Sequence, residues 1–353
     1  MKTILITGGA GFVGSNLAMA LKRDHENLRI IALDNLNRRG SELNLPRLKE
    51  SDIDFVKGDI RYAKDFENLP KIDLLLECSA DASALSGMDG NPNYCLETNI
   101  MGTIQCLNFA RKFQAPVIFL SSSRIYPIEA IHHLNFTEKE SRFELDENNV
   151  AGLSKKGINE NFSLKGYRTI YGTTKLASEM ILEEYGYAYN LPYIVNRCGV
   201  LTGPWQMGKV DQGFVVLWLA NHYFQKPLKY IGFGGQGKQV RDILDIDDLY
   251  ELVKLQIDNP EKFNGQTFNI GGGLKRSLSL FELTRHCEEL TGNRLQIAPE
   301  SQTRPGDIPW YISDTSQIKT FCGWQPKRSI LNTLARIHTW IVKYQADLKN
   351  VLG

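Results

Sequence analysis

Long apolar runs are missing from this 353-residue chain: none reaches the roughly 18 residues a membrane-spanning helix requires, and the start carries no signal-peptide pattern. A cytoplasmic location is the expectation. Cysteine is sparse and unpatterned. Cys78, Cys95, Cys106, Cys198, Cys287 and Cys322 show no C-x-x-C or other metal or redox spacing, so they are expected to be reduced, buried small hydrophobes, and no metal site is expected. Clustered charge is missing too. The net charge is +1, Arg38 and Arg39 form a pair and not a patch, and no basic stripe interleaved with aromatics appears, which argues against a nucleic-acid or membrane partner. Internal repeats and low-complexity tracts are absent. What remains is a 42% apolar fraction, enough to fill the core of two lobes sharing one cleft.

Strand and helix patterns alternate from the N-terminus, with strands expected at 2–7, 28–33, 54–57, 73–78 and 116–121 and helices between them. That order predicts an α/β fold with a doubly wound parallel sheet. After Tyr193-Ile194-Val195-Asn196-Arg197 the chain turns to loops rich in Gly and Pro, such as Thr202-Gly203-Pro204-Trp205-Gln206. Residues 1–195 are therefore expected to form a dinucleotide-binding domain to which later segments return, and 196–353 mainly a smaller C-terminal substrate-binding lobe. Ser279-Leu280-Phe281-Glu282 reads as a capping box opening a helix in that lobe.

Two segments carry the chemistry. Thr7-Gly8-Gly9-Ala10-Gly11-Phe12-Val13-Gly14 follows the first strand and precedes a helix-like run, 15–21, and a glycine turn there lets a diphosphate approach backbone N–H groups at a helix start. Asp34 closes the next strand about twenty residues on, where a carboxylate can accept ribose hydroxyls. Tyr171 and Lys175 share a helix face at i and i+4, so the ammonium can hold the phenol and lower its pKa from about 10 toward neutrality. That makes a base for taking a proton from an alcohol. A nicotinamide dinucleotide beside such a base implies hydride transfer from a carbinol. Ser121-Ser122-Ser123, at the carboxyl end of the strand that 117–120 begins, offers a hydroxyl to the reacting oxygen, with a polar strand terminus as the structural alternative.

The chain also contains look-alikes of both motifs. Gly232, Gly234 and Gly237 match G-x-G-x-x-G, but the strand-like alternation of 238–246 follows and supplies no helix N-terminus. Tyr250 and Lys254 repeat the i, i+4 spacing within an amphipathic helix, 247–257, that no hydroxyl-rich strand precedes. A packed structural tyrosine is expected there.

Together these segments resemble the extended short-chain dehydrogenase/reductase family over essentially the whole chain. Thr7 to Gly14 matches its T-G-x-x-G-x-x-G, Asp34-Asn35-Leu36 its ribose-binding strand end, Gly58-Asp59-Ile60 its adenine-side strand, Asn99 its asparagine before a G-T pair, and Tyr171 to Lys175 its Y-x-x-x-K. The resemblance implies a Rossmann domain holding NAD through Gly8, Gly11, Phe12, Val13, Gly14, Asp34, Asn35, Asp59, Ile60, Ala80, Asn99, Tyr171 and Lys175. The family's hydroxyl residue stands four before the tyrosine of S-S-x-x-x-Y. Counting back from Tyr126 gives Ser122, with Ser123 as substitute, so the implied catalytic set is Ser122, Tyr171 and Lys175.

Within the family the chain is most similar to nucleotide-sugar epimerases of the CDP-paratose 2-epimerase type. The segments that carry this are 34–40, Asp211-Gln212-Gly213, 237–242 and Phe268-Asn269-Ile270-Gly271-Gly272, along with the long stretch 127–170. It implies a nucleotide diphosphate sugar, with a CDP-sugar favoured, held by Ser122, Ser123, Gln212, Gln239, Arg241 and Arg304. The two arginines match the family's diphosphate clamps. Their structural alternatives are a salt bridge from Arg241 to Asp242 or Asp245 and a solvated loop charge at Arg304. Family dehydratases carry an Asp-Glu pair where this chain has Ser123 and Arg124, so elimination lacks its proton carriers. A UDP-hexose 4-epimerase shares every catalytic residue and stays open as an alternative; a non-catalytic dinucleotide sensor would typically have lost the tyrosine or lysine. The family suggests a homodimer or homotetramer through helices around 99–113 and 171–185.

Overall fold

The computed structural model describes residues 2–88, 90–209 and 212–352. Seven strands form the central sheet: β1 (Thr3–Thr7), β2 (Arg29–Asp34), β3 (Asp54–Lys57), β4 (Leu74–Glu77), β5 (Val117–Ser122), β6 (Tyr193–Cys198) and β7 (Gln266–Ile270), in the spatial order β7-β6-β5-β4-β1-β2-β3. β1 pairs parallel with both β2 and β4, so the order reverses at its edges and leaves a crevice at the carboxyl ends of β1 and β4. The expected strands lie within a residue or two of these positions. β1, β4 and β5 are buried along their whole length, as parallel strands covered on both faces must be.

The helices needed below are α1 (Phe12–Asp24), α2 (Gly102–Phe113), α3 (Ile170–Tyr189) and α4 (Ile246–Asp258). Leu5, Leu75, Val117 and Phe119 of the sheet join Cys106, Leu107 and Ala110 of α2 and Leu182 of α3 in one apolar cluster. Each fully buried large aliphatic or aromatic side chain there stabilises the fold by about 1.5–3 kcal/mol. All six cysteines are free, and no helix among the described residues is long and apolar enough to cross a membrane.

The chain divides into two compact units, with a later segment, Leu249–Phe268, returning to the first as expected, but the 195/196 boundary itself does not hold. One unit holds 2–125, Ile170–Arg197 and Leu249–Phe268; the other holds Tyr126–Thr169, Cys198–Asp248 and 269–352. The correction concerns 126–169, which the 1–195 boundary had placed in the dinucleotide-binding domain. Its own packing explains the change: Tyr126 donates to Asn269 Oδ1 at 2.7 Å and stacks on Tyr311, and the Ile158 N–H donates to the Ile312 carbonyl at 2.8 Å. With that segment the second unit is about as long as the first, not the smaller lobe expected.

The second unit is built around the strand Val240–Asp245, wholly buried and paired with Val200–Thr202, Ser277–Ser279 and Trp310–Tyr311. Its carboxylates survive burial because each has partners: Arg336 and Thr333 on Asp245, the Gly273 N–H on Asp242. Ser279 and Glu282 form the reciprocal capping box of the helix Leu280–Thr291, and Arg142 grips the same Glu282 carboxylate.

Candidate active site

The glycine turn is built so that no side chain intrudes. Gly8 has φ +64, and a Cβ there would sit 2.9 Å from the Cys78 carbonyl. A Cβ on Gly14 would fall 2.3 Å from the Gly8 oxygen, so α1 can pack this closely on the turn only through glycine. Gly11 caps α1 without a side-chain hydrogen bond, and Phe12 and Val13 open its first turn. The helix start thus has no capping side chain on its first-turn N–H groups, the arrangement a diphosphate requires.

Asp34 ends β2 and accepts the Ala10 N–H at 3.0 Å on one oxygen and the Leu36 N–H at 2.8 Å on the other. Burial raises its pKa, and these N–H groups pull against the rise. Next to it, the Asn35 amide donates to Asp59 at 3.0 Å. Burial works to raise the Asp59 carboxyl as well, but its bonds from Arg61 and Asn35 outweigh that and lower it. Ile60 is buried against Gly102, and Ala80 lies half-buried in the loop after β4. A close-packed glycine turn, an uncapped helix start and a partly desolvated carboxylate at the second strand end all fit NAD.

Tyr171 and Lys175 lie on the first two turns of α3, 7% and 3% exposed. The Lys175 ammonium stands 4.5 Å from the centroid of the Phe119 ring and 3.9 Å from Glu77 Oε2. Asn99, in a π-helical turn at Glu97–Met101, ties this helix to its surroundings. Its amide donates to Thr174 Oγ1 at 2.9 Å, its side-chain oxygen accepts the Asp81 N–H at 2.8 Å, and its main-chain carbonyl accepts from Ser178. The side chain of Asn99, one of the residues the resemblance assigned to the cofactor, is thus engaged within the protein.

The three serines differ in what they touch. Ser121 donates to Glu179 in a short hydrogen bond, and Arg197 holds the same carboxylate at 2.8 Å, so Ser121 is structural. Ser122 ends β5, where its Oγ accepts the Arg124 N–H at 3.1 Å. Ser123 opens the following turn, half-buried.

In the second unit, Gln239 is buried and donates to the Ile231 carbonyl at 3.1 Å, while its side-chain oxygen has no partner among the described residues. Arg241 bonds Asp307 at 2.8 Å and the Ile308 carbonyl at 2.7 Å, not the Asp242 or Asp245 weighed from the sequence. Arg304 is half-exposed, and its carbonyl accepts the Asp307 N–H. Gln212 forms a two-residue bridge with Lys209, and Asp211 lies outside the described residues.

Both look-alikes have structural work. Tyr250 and Lys254 each donate to Asp24, at 2.7 and 3.1 Å, and burial followed by that carboxylate pushes the Tyr250 phenol well up, the wrong direction for a base. Gly232, Gly234 and Gly237 shape a turn between strands, all at positive φ. Sequence reasoning missed Glu77, although an acid inside a run expected to be a buried strand was a legible signal.

A bare dinucleotide cradle on a doubly wound sheet, with a tyrosine and lysine buried on one helix, defines a nicotinamide-dependent enzyme of the Rossmann type. Comparison with known proteins narrows the class. The model of the NAD dependent epimerase/dehydratase family matches residues 4–271, and the chain belongs to that family, with NAD as its cofactor. It is 30% identical to the CDP-paratose 2-epimerase of Salmonella typhi, covering 96% of this chain and 98% of that one. It is 26% identical to a dTDP-glucose 4,6-dehydratase of Xanthomonas campestris pv. campestris, covering 100% and 96%. Among solved structures it is similar to the UDP-glucose 4-epimerase of Thermotoga maritima, with a TM-score of 0.76 and 25% identity over 97% of this chain and 99% of that one.

Proposed function

We propose that the protein is a nucleotide-sugar epimerase of the CDP-paratose 2-epimerase type, working by transient oxidation to a keto-sugar. The observation that carries this reading is the buried Tyr171–Lys175 pair combined with Ser123-Arg124 where the family's dehydratases place Asp-Glu. Tyr171 takes the sugar hydroxyl proton, and the Lys175 ammonium one turn on stabilises the phenolate that receives it. Ser122, at the end of β5, donates to the reacting oxygen. Bound NAD supplies a hydride acceptor that can return the hydride to the opposite face. Neither Ser123 nor Arg124 can act as the acid–base pair that water elimination needs. Arg241 and Arg304 are assigned to the diphosphate, and the Asp307 carboxylate holds the Arg241 guanidinium in one orientation. Similarity to the Salmonella epimerase supports a CDP-linked 3,6-dideoxyhexose epimerised at carbon 2. Apolar side chains left exposed on the helices around 99–113 and 171–185, Met101 and Met180 among them, support a homodimer or homotetramer.

The test is isotopic. With deuterium on carbon 2 of CDP-paratose, the loaded enzyme should need no added cofactor, give an isomer of unchanged mass and keep the label on that carbon. Label lost to water refutes the hydride route, and a product lighter by one water makes the protein a dehydratase. Turnover of UDP-glucose alone, run beside it, moves the substrate to the UDP-hexoses and leaves the hydride route standing.

A further inference from the structure

Glu77 is the last residue of β4, it is 0% exposed, and neither carboxylate oxygen makes a geometrically sound hydrogen bond among the described residues. In register it lies between Thr7 of β1 and Phe119 of β5, so the three side chains form one row on one face of the sheet. Two helices cover that row. From α3 comes Lys175, 3.9 Å from Glu77 Oε2 and poised over the Phe119 ring. Tyr171 precedes it by one turn, and Glu179 follows by one turn with Arg197 and Ser121 as its own partners. From α2 comes Cys106, fully buried, its thiol pushed well up by burial and then by the Glu77 charge. Thr7 and Phe119 bring no charge from the flanking strands. Lys175 is thus the cation that faces Glu77.

An isolated carboxylate buried without hydrogen bonds is not tolerated; it pairs or takes up a proton. Glu77 stands between these outcomes. Burial raises its pKa, and against the opposing pull of the Lys175 ammonium and the Ser79 N–H it still stands at about 7.

We propose that Glu77 is a positioning residue for the Lys175–Tyr171 pair: its charge decides how much of the Lys175 positive charge is left to stabilise the Tyr171 phenolate. The inference rests on the reading of Tyr171 as the base. When Glu77 is ionised it offsets the ammonium and makes the phenolate harder to form. Once Glu77 is protonated, Lys175 acts on Tyr171 undivided. A wild-type pH profile should then show a coupled titration, and a neutral isostere should leave one simple step at lower pH.

Glu77→Gln keeps the shape and removes the charge. The acid limb of its kcat/KM profile should collapse to a single step and move down by about one pH unit, and Glu77→Asp should move it back toward wild type. A second readout is independent of turnover: difference infrared spectra of wild type against Glu77→Gln should show a carboxylic-acid carbonyl band that titrates near neutrality in the wild type only. A Glu77→Gln profile superimposed on wild type, with only thermal stability changed, overturns the proposal, as does the absence of that band. If Glu77→Gln does not fold, pH-difference infrared spectra of the wild type alone that show no carboxylic-acid band titrating near neutrality overturn it equally. Tyr171→Phe run in parallel separates the two readings. Turnover retained there defeats the base assignment, whereas turnover lost there with no shift in Glu77→Gln defeats only the role of Glu77.

Discussion

Gly14→Ala places a single methyl group at the point where α1 meets the glycine turn. The added Cβ would lie 2.3 Å from the Gly8 oxygen and 2.9 Å from Gly9 Cα, where side-chain carbons do not approach backbone within 3.0 Å. The helix start or the turn must therefore move by about 0.7 Å. Overpacking of this kind costs about 1–3 kcal/mol, and alanine's better helix propensity returns about 1 kcal/mol, so a net stability loss of roughly 0–2 kcal/mol is expected. The loss in cofactor binding should be larger than that in fold. The same shift moves the uncapped N–H groups of α1 off the diphosphate, and NAD affinity should fall on the order of ten- to a hundredfold, ~1.4–2.8 kcal/mol. Calorimetric titration with NAD, alongside circular-dichroism melting, separates the two effects. A folded Gly14→Ala protein that binds NAD as tightly as wild type would falsify the assignment of this turn to the dinucleotide.

Tyr171→Phe should keep the fold and the bound NAD but lose about 10²–10⁴-fold in turnover, with Ser122→Ala losing less. Tyr250→Phe should leave turnover intact and destabilise by about 1 kcal/mol through its lost bond to Asp24, measured by denaturant unfolding; if Tyr250→Phe abolishes activity, the two tyrosines have been assigned the wrong way round. NAD should bind more tightly than NADP, because a 2′-phosphate would meet the partly buried Asp34 carboxylate, and equal calorimetric affinities would refute this. For pH, the folded-state pKa of Glu77 is raised from 4.5 to about 7, so its contribution to stability is fully present below about 4.5 and is lost as pH rises through about 7. Thermal unfolding should accordingly show wild type losing stability relative to Glu77→Gln across that window, by a few kcal/mol at most; parallel curves for the two proteins would contradict the buried titration.

The parts of the site that were legible in the sequence are those set by local geometry. The Gly8, Gly11 and Gly14 spacing is a property of one strand-turn-helix, and Tyr171 and Lys175 share a face because the helix repeat puts them there. The strands of the parallel sheet were readable within a residue or two because burial on both faces leaves short, nearly continuous apolar runs. Local pattern also showed that the glycines at 232, 234 and 237 open no helix. The capping box at Ser279 and Glu282 is likewise contained within one turn.

Tertiary structure decided everything that depends on a partner far along the chain. Tyr250 and Lys254 have the same spacing as Tyr171 and Lys175, and only the approach of Asp24, 226 residues from Tyr250, commits them to packing. Ser121 and Ser122 are adjacent in sequence, yet pleating turns them to opposite faces, and Glu179 of α3 takes one hydroxyl while the other remains at the strand end. Arg241 found Asp307 rather than either nearby aspartate, and 126–169 joined the second unit through contacts with 269 and 311–314. Glu77 shows the limit most sharply. Its sequence neighbourhood says only that an acid ends a buried strand, whereas its chemistry comes from Lys175, 98 residues away, because desolvation and a charge at 3.9 Å exist only once β4 and α3 are packed together.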